Sequence, residues 1–223
     1  MDWCYVNNFD DSYRPVAIQM PKGKGKELKR DVKNFMSQLK RRLTKAFQSD
    51  EFQQQQNAIQ QQLSQGQQEV FAELNEEAQK EGFVIQRTGS QIVAVPVKNG
   101  EPMTDEDFRQ LSQEEQQELM KKQREFQQRI QEAVRQSQDV QKKINEEMAE
   151  LERETALAVI EGMLDDLKGK YEDIPGIPEY LDDMKEDILD NLELLLQEEG
   201  QQGQNPMMAQ MQQMQKQSVE SRY

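Results

Sequence analysis

The chain has 223 residues, of which 35% are hydrophobic, 31% are charged and 6% are aromatic, and its formal net charge is −14. So few apolar residues cannot fill a thick globular core, and an acidic surface repels the phosphates of nucleic acids. Because the chain contains no histidine and a single cysteine, Cys4, it can form neither a Ser-His or Cys-His nucleophile pair nor an internal disulfide.

The sequence shows no membrane or secretory segment. It contains neither an apolar run of about 18 residues nor a basic leader followed by an apolar stretch. A lone cysteine is typical of a reducing compartment. We therefore expect a cytoplasmic protein without a membrane partner, and the acidic balance argues against a nucleic-acid partner as well.

The first 47 residues predict two short strands followed by one basic helix. Asp2–Phe9 and Val16–Met20 are rich in aromatic and β-forming residues. We expect Trp3, Tyr5 and Phe9 to be buried strand residues rather than to stack on a nucleic-acid base. Residues 27–47 predict a helix, because their apolar side chains recur every three or four positions as one stripe: Leu28, Val32, Phe35, Met36, Leu39, Leu43 and Phe47.

Residues 48–170 predict a helix, a β-hairpin and a returning helix. Narrow apolar seams at coiled-coil spacing run along residues 49–82 and 113–170, whereas the valine-rich stretch 83–97 reads as two strands. The strand that contains Pro96 is expected to lie at a sheet edge, because proline has no backbone donor for a ladder. The predicted fold class is mainly α, with a long antiparallel coiled-coil arm that ends in a small β-hairpin tip.

After residue 170 the sequence predicts one more helix and then a linker. Ile174–Pro178 contains two prolines and a glycine, which interrupt a helix. The acidic stretch Glu179–Gln197 is expected to be helical, because its apolar residues share one side: Leu181, Met184, Ile188, Leu192 and Leu195. Residues 199–218 are rich in Gln, Met and Gly, a composition typical of a flexible linker.

The hairpin tip is the strongest candidate for a binding surface. It carries more apolar side chains than a two-stranded hairpin can cover by itself, namely Phe83, Ile85, Ile92, Val93 and Val95. Such a surface can contact an unfolded polypeptide through side chains or through an added strand. The alternative is that these side chains only pack on the ends of the two helices.

Two clusters of charged residues have weaker functional interpretations. Lys22, Lys24 and Lys26 alternate with glycines before a helix, but they lack the Gly-Lys-Ser/Thr order of a nucleotide-binding loop, so a basic turn is expected. The acidic residues between Asp182 and Asp190 lack the spacing of a calcium loop, so a solvated helix face is expected. The sequence therefore assigns no catalytic, cofactor-binding or metal-binding residue.

The start of the chain resembles a known family. The order Asp2–Phe9, Arg14-Pro15 and Met20–Gly25 is similar to a segment of Lon-like ATP-dependent proteases whose AAA+ ATPase module carries a long helical insertion. Later segments of the chain agree with that family in their order. The positions that carry the resemblance are Tyr5, Val6, Asn8, Phe9, Pro15, Pro21, Gly23 and Gly25.

The resemblance implies a homo-hexameric cytoplasmic machine that degrades unfolded proteins with ATP, magnesium and a Ser-Lys dyad. This chain carries neither that family's phosphate-binding loop nor its protease domain, so we expect an internal part that contacts the remaining ATPase and protease modules. Residues 1–47 would belong to a partial AAA+ α/β base, and residues 48–170 would form the arm. Residues 171–198 would pack as a helix on that base, and residues 199–223 would lead back into the ATPase module.

The function implied is to provide the helical arm that captures substrates, or gates their entry, in an ATP-dependent serine protease. By itself the chain is not expected to be an enzyme. The alternative is a freestanding coiled-coil chaperone, such as a prefoldin-like holdase, or a scaffold. Prefoldin-like proteins share the order of helix, hairpin and helix, but they have no need of the strand at Trp3–Phe9 or the turn at Lys22–Lys26.

Overall fold

The computed structural model describes residues 1–11, 13–88, 91–98 and 100–196, together with residues 214, 218 and 222. The described residues are mainly helical with small antiparallel sheets, which confirms the broad fold class. The chain divides into two compact units. Unit 1 consists of Met1–Gln55 and Ala149–Tyr223, and unit 2 consists of Gln56–Met148. The linker expected over residues 199–218 lies outside the described residues, apart from two positions.

The described elements keep the predicted order of strands, helix, helix, hairpin and returning helix. In chain order they are β1 (Asp2–Val6), β2 (Val16–Met20), α1 (Lys24–Phe47), α2 (Asp50–Lys80), β3 (Phe83–Thr88), β4 (Gln91–Lys98), β5 (Glu101–Pro102), α3 (Asp105–Gln110), α4 (Gln113–Tyr171), α5 (Ile177–Asp190) and α6 (Leu192–Leu196). The two-residue strand β5 has no counterpart among the predicted elements.

Helix α1 has the apolar stripe that the sequence predicts, although it begins at Lys24 rather than Glu27. Gly23 precedes it with a φ of 90°, a left-handed conformation that glycine adopts without steric cost. Met36 and Phe47 are partly buried in the core of unit 1. The other five stripe residues are buried: Leu28, Val32, Phe35, Leu39 and Leu43.

The core of unit 1 is one apolar cluster to which α1, α4 and α5 contribute. Its most buried members on α4 and α5 have at most 1% of their surface exposed: Ala156, Ile160, Leu164, Tyr171, Ile177, Leu181, Met184 and Ile188. Full burial of a Leu, Ile or Met side chain contributes about 1.5–3 kcal/mol, so this cluster is the main source of stability in unit 1. The prediction that one side of the acidic helix is apolar and packs on the core is therefore confirmed, because Leu181, Met184, Ile188 and Leu195 are buried.

The acidic helix expected over residues 179–197 is two helices instead of one. α5 begins at Ile177 with Pro178 in its first turn, where the missing N–H of proline costs little. Asn191 ends α5, and its side-chain amide donates to the Asp187 carbonyl at 2.7 Å. A short polar side chain that bonds the backbone in this way competes with continuation of the helix, and α6 starts anew after it.

The expectation that Trp3 and Tyr5 are buried is wrong, because their side chains are 62% and 70% exposed. β1 pairs with β2 in a two-stranded antiparallel sheet, with Cys4 opposite Ile18. Alternate side chains of a strand point to opposite faces, and the face of Ile18 and Met20 is the one that packs on the core of unit 1. Trp3 and Tyr5 lie on the other face.

A charged cluster joins the start of α1 to the end of α4. Lys170 Nζ lies 2.7 Å from Glu27 Oε1 and also pairs with Asp31, while the Tyr171 hydroxyl donates to Asp31 at 2.8 Å. Burial alone would raise the pKa of Asp31, but the hydrogen bonds from Lys170 and Tyr171 outweigh it and lower that pKa. Burial, followed by the hydrogen bond to Asp31, raises the pKa of Tyr171 to about 12.

In unit 2, α2 and α4 run antiparallel beside the three-stranded sheet β3–β4–β5. A Cβ atom placed on Gly66 of α2 would come within 3.0 Å of Val140 on α4, so only glycine fits there without a shift. Further along α2, Glu77 accepts a hydrogen bond from Arg129 of α4 at 3.1 Å. Residue numbers rise along one helix as they fall along the other, which defines the antiparallel direction.

Two capping boxes start the helices that follow the sheet. The Thr104 hydroxyl accepts from the Asp107 N–H at 3.2 Å, and the Asp107 carboxylate accepts from the Thr104 N–H at 3.3 Å. Ser112 and Glu115 exchange the same two bonds at 3.3 and 2.8 Å. Each box satisfies backbone donors that a helix start leaves unpaired, which fixes where α3 and α4 begin.

Candidate functional site

The hairpin of β3 and β4 is held on the helices of unit 2 by aromatic and polar contacts. Phe83 is 1% exposed, and its ring centroid lies 5.0 Å from that of Phe126 on α4. The Arg129 guanidinium lies 4.9 Å from the centroid of the Phe126 ring, a favourable cation–π distance. The Gln123 amide donates to the Ala94 carbonyl at 3.3 Å. α4 therefore fixes both strands of the hairpin.

Strand register divides the hairpin side chains between two faces. Val84 lies opposite Val95, and Ile85 lies opposite Ala94. Because side chains alternate along each strand, the face that packs on the helices consists of Phe83, Ile85, Ile92 and Ala94. The opposite face, which we name the outer valine face, consists of Val84, Val93, Val95 and Val97.

The five predicted contact residues therefore do not form one surface. Phe83 is buried, and Ile85 and Ile92 are partly buried against the apolar cluster of unit 2. Val93 and Val95 are half-buried members of the outer valine face. Two further members of that face are missing from the predicted set, although the alternation of side chains along residues 83–98 would have identified them.

The backbone of β4 has a second side that β5 covers only at the last two residues of the strand. Val97 N–H donates to the Gly82 carbonyl at 2.8 Å, so the backbone groups of Val97 and of every second residue before it point towards β3. The backbone groups of Pro96, and of the residues two and four before it, point to the opposite side. The expected edge position of this strand is wrong, because β4 is the central strand of β3–β4–β5. Pro96 is tolerated there because its missing N–H would point towards the short strand β5, where its carbonyl accepts from Met103 N–H at 2.8 Å.

An ion pair ties the end of β4 to α3. Lys98 Nζ lies 2.8 Å from Asp107 Oδ1. The hydrogen bonds from Lys98, and then from Thr104, lower the pKa of Asp107 to about 2. Asp107 therefore stays ionised at neutral pH, where it serves both the ion pair and the capping box.

The residues that carry the family resemblance build the local fold of unit 1. The Asn8 side chain donates to the Arg14 carbonyl and accepts from the Asp10 N–H, each at 3.1 Å, so it closes the turn after β1. The Phe9 ring stacks on Tyr180 with centroids 5.8 Å apart. Of the remaining positions, Val6 is buried, Gly25 is half-buried, and Tyr5, Pro15, Pro21 and Gly23 are exposed.

The Lys22–Lys26 turn is engaged by acidic residues of the chain itself. The N–H of Gly23, which an anion at this helix start would need, donates to the Asp2 carboxylate at 2.6 Å. Lys24 Nζ lies 2.9 Å from Glu27 Oε2. These contacts argue against a phosphate-binding loop, and the expected basic turn is confined to Lys22 and Gly23, because α1 already begins at Lys24.

Four of the five acidic residues between Asp182 and Asp190 are exposed, as the sequence indicates, whereas Asp187 is half-buried. Asp182 pairs with Lys168 at 2.5 Å, and Asp187 pairs with Arg222 at 2.6 Å. The Asp187 side chain is only 10% exposed. Within the described ranges, no group of three or more His, Cys, Asp or Glu side chains is placed to hold a metal ion.

Comparison with known families finds a similarity at the start of the chain. The family model of the Lon-like LonC helical domain matches residues 2–35, which span β1, β2 and the first part of α1. The match is a similarity of this segment to that family, and it covers less than half of the chain. No curated protein matches the chain. None of the described helices has both the length and the apolar character needed to cross a membrane.

Proposed function

We propose that this chain is part of a Lon-like ATP-dependent serine protease of the AAA+ class, in which unit 2 contacts unfolded substrate polypeptides. The similarity of residues 2–35 supports the family. The observation that carries the role is the outer valine face, four apolar side chains on one side of a hairpin whose other side is already packed on helices. This role is binding, and the chemistry of the protease belongs to other modules.

The outer valine face has the properties that capture of an unfolded polypeptide requires. An unfolded chain exposes apolar side chains and unpaired backbone groups at the same time. Valines 93 and 95 offer apolar surface for such side chains. On the side of β4 that β5 leaves uncovered, the Ala94 carbonyl already accepts from Gln123, so the contact proposed here is made by side chains and not by an added strand. The acidic, glutamine-rich character of the rest of the chain keeps such a surface soluble.

The exposed aromatic face of unit 1 supports the presence of a partner module. Trp3 and Tyr5, which share the outer face of β1, are 62% and 70% exposed. Large aromatic side chains bury 150–250 Å² each and are enriched at interfaces, so a group of them in water is a candidate contact surface. In the proposed protease, the remaining ATPase module covers this face, binds ATP and magnesium, and forms a cytoplasmic homo-hexamer. A freestanding holdase would have no module to place there.

The double substitution Val95→Asp/Val97→Asp, at two members of the outer valine face that do not line the groove beside the hairpin, tests the proposed role. We expect it to weaken capture of fluorescein-labelled β-casein, a disordered polypeptide, by about fivefold or more, because two carboxylates on the outer valine face must lose water when an apolar segment docks. Fluorescence anisotropy at physiological salt measures the affinity. Circular dichroism should show unchanged helix content, because both side chains lie on the face that does not pack on the helices.

A matched control separates the valine face from net charge. Gln60→Asp/Gln68→Asp adds the same two negative charges on exposed positions of α2. We expect this variant to bind β-casein as the unsubstituted chain does. Equal binding by the unsubstituted chain, the valine variant and the control would refute a role of the outer valine face in substrate capture.

A further inference from the structure

A groove of about 710 Å³ lies beside the hairpin in unit 2, lined by residues of α2, α4 and the two strands. This volume is within the range of small-ligand and peptide-side-chain sites. The groove is separate from the outer valine face except at Val93. Its apolar lining consists of Phe71, Ile92, Val93, Ile130 and Val134.

The polar lining of this groove is made of amides, the hydroxyl of Ser137 and one cation. Four glutamines contribute: Gln91, Gln127, Gln131 and Gln138. Arg87 of β3 is the one charged residue among the described lining residues, and no described acidic residue lines the groove beside it. A single guanidinium at an apolar groove is unusual in a chain with a net charge of −14. Arginine binds carboxylates with two parallel hydrogen bonds, so the groove is complementary to a ligand with one carboxylate and an apolar body.

We propose that this groove binds the C-terminal end of an unfolded polypeptide whose last residues are apolar. The terminal carboxylate pairs with Arg87, and the last side chains lie on the partly buried Phe71, Ile92 and Val134. The glutamine amides, each with donors and an acceptor, bond the peptide backbone. An internal segment with apolar side chains brings no charge to the guanidinium, which is why the chain end is the matching ligand. The inference rests on the proposed function and specifies the substrate feature that unit 2 recognises.

Three peptides test this inference on the full chain. The first is a fluorescein-labelled extended peptide that ends in Ile-Val-Leu with a free carboxylate. The second is the same peptide with an amidated end. The third is amidated but carries Asp in place of the last Leu, which distinguishes a terminal carboxylate from an acidic side chain. We expect the free-acid peptide to bind about tenfold more tightly than the amidated peptide, as one charge-assisted contact provides.

Arg87→Gln removes the charge and keeps a long polar side chain. We expect this variant to bind the free-acid peptide about tenfold more weakly, and to bind the amidated peptide as the unsubstituted chain does. The matched control is Arg124→Gln, which removes the same charge from an exposed position of α4 outside the groove. It should leave both affinities unchanged. Arg87 is exposed, so its substitution is expected to keep the fold, which circular dichroism checks.

The outcomes separate this inference from the proposed function. Equal affinity of free-acid and amidated peptides, with β-casein still captured through the outer valine face, overturns the inference and leaves the proposed function standing. Tighter binding of the Asp peptide than of the free-acid peptide also overturns it, because the site then reads acidic side chains. Absence of binding by all peptides and by β-casein overturns both. A preference for the free acid that disappears only in Arg87→Gln supports the inference.

Discussion

Phe126→Ala is expected to lower the free energy of unfolding by about 3–5 kcal/mol, the cost of emptying a buried aromatic site. Phe126 is 1% exposed and is the side chain of α4 on which Phe83 of the hairpin packs. Loss of its ring removes the aromatic contact with Phe83, the cation–π contact with Arg129 and part of the apolar surface on which the sheet packs. Urea denaturation followed by circular dichroism measures the change.

An exposed apolar residue of the same helix provides the control for this substitution. Met120 is 41% exposed, so Met120→Ala is expected to change the free energy of unfolding by no more than about 0.5 kcal/mol. If Phe126→Ala had as small an effect, the hairpin would not be seated on α4 as described, and the division of its residues into two faces would be incorrect.

The second large effect is expected at alkaline pH, where Tyr180 of unit 1 ionises. Burial, with a smaller effect of Cys4, raises the pKa of Tyr180 from 10.0 to about 12. The folded state therefore favours the neutral phenol. This contribution to stability is complete below pH 10 and is lost as pH rises from about 10 to about 12. A difference of this size is worth about 2–3 kcal/mol.

Tyr180→Phe tests the alkaline effect, because phenylalanine keeps the ring and has no proton to lose. We expect the variant to lose less stability than the unsubstituted chain between pH 10 and 12, with part of the loss remaining because Tyr171 also has a pKa of about 12. Thermal unfolding across this pH range provides the measurement. Tyr13→Phe, at a side chain that is 93% exposed, should follow the unsubstituted profile. Identical profiles for all three proteins would contradict burial of the Tyr180 phenol.

The helices could be predicted because their signals are local. The three-and-four spacing of Leu28, Val32 and Leu39 needs only the geometry of one helix, and these residues are buried as expected. The break at Asn191 was also within reach, since a short amide side chain in a helix can bond the backbone behind it. The helical spacing of apolar residues continues on both sides of Asn191, and this spacing alone predicts one continuous helix.

The contacts of unit 1 that join distant segments could not be predicted from the sequence. Asp31 and Tyr171 are 140 positions apart, and no local spacing relates them. The exposure of Trp3 and Tyr5 has a similar cause. Aromatic residues in a strand predict burial whether one face or both faces of the sheet are covered. Only the structure shows that the face of Trp3 and Tyr5 is exposed to solvent.

The sequence predicts where the candidate site lies, but it does not predict which side chains form the site. The apolar run of residues 83–97 indicates a hairpin tip rich in apolar side chains, and the structure puts a hairpin there. The count of apolar residues does not separate Ile92, which packs towards the helices, from Val93, which lies on the outer face. Arg87 carries no motif, and its importance emerges only from the groove that lies around it.

Photo-crosslinking from the hairpin tests most directly whether the outer valine face meets an unfolded polypeptide. A benzophenone amino acid is introduced by Val95→p-benzoylphenylalanine and, as the matched control, by Gln60→p-benzoylphenylalanine on α2. Each protein is irradiated with β-casein and the crosslinked product is quantified by mass spectrometry. Capture by the outer valine face predicts abundant crosslinks from position 95 and few from position 60. Equal yields from both positions, or crosslinks from position 60 alone, would contradict it.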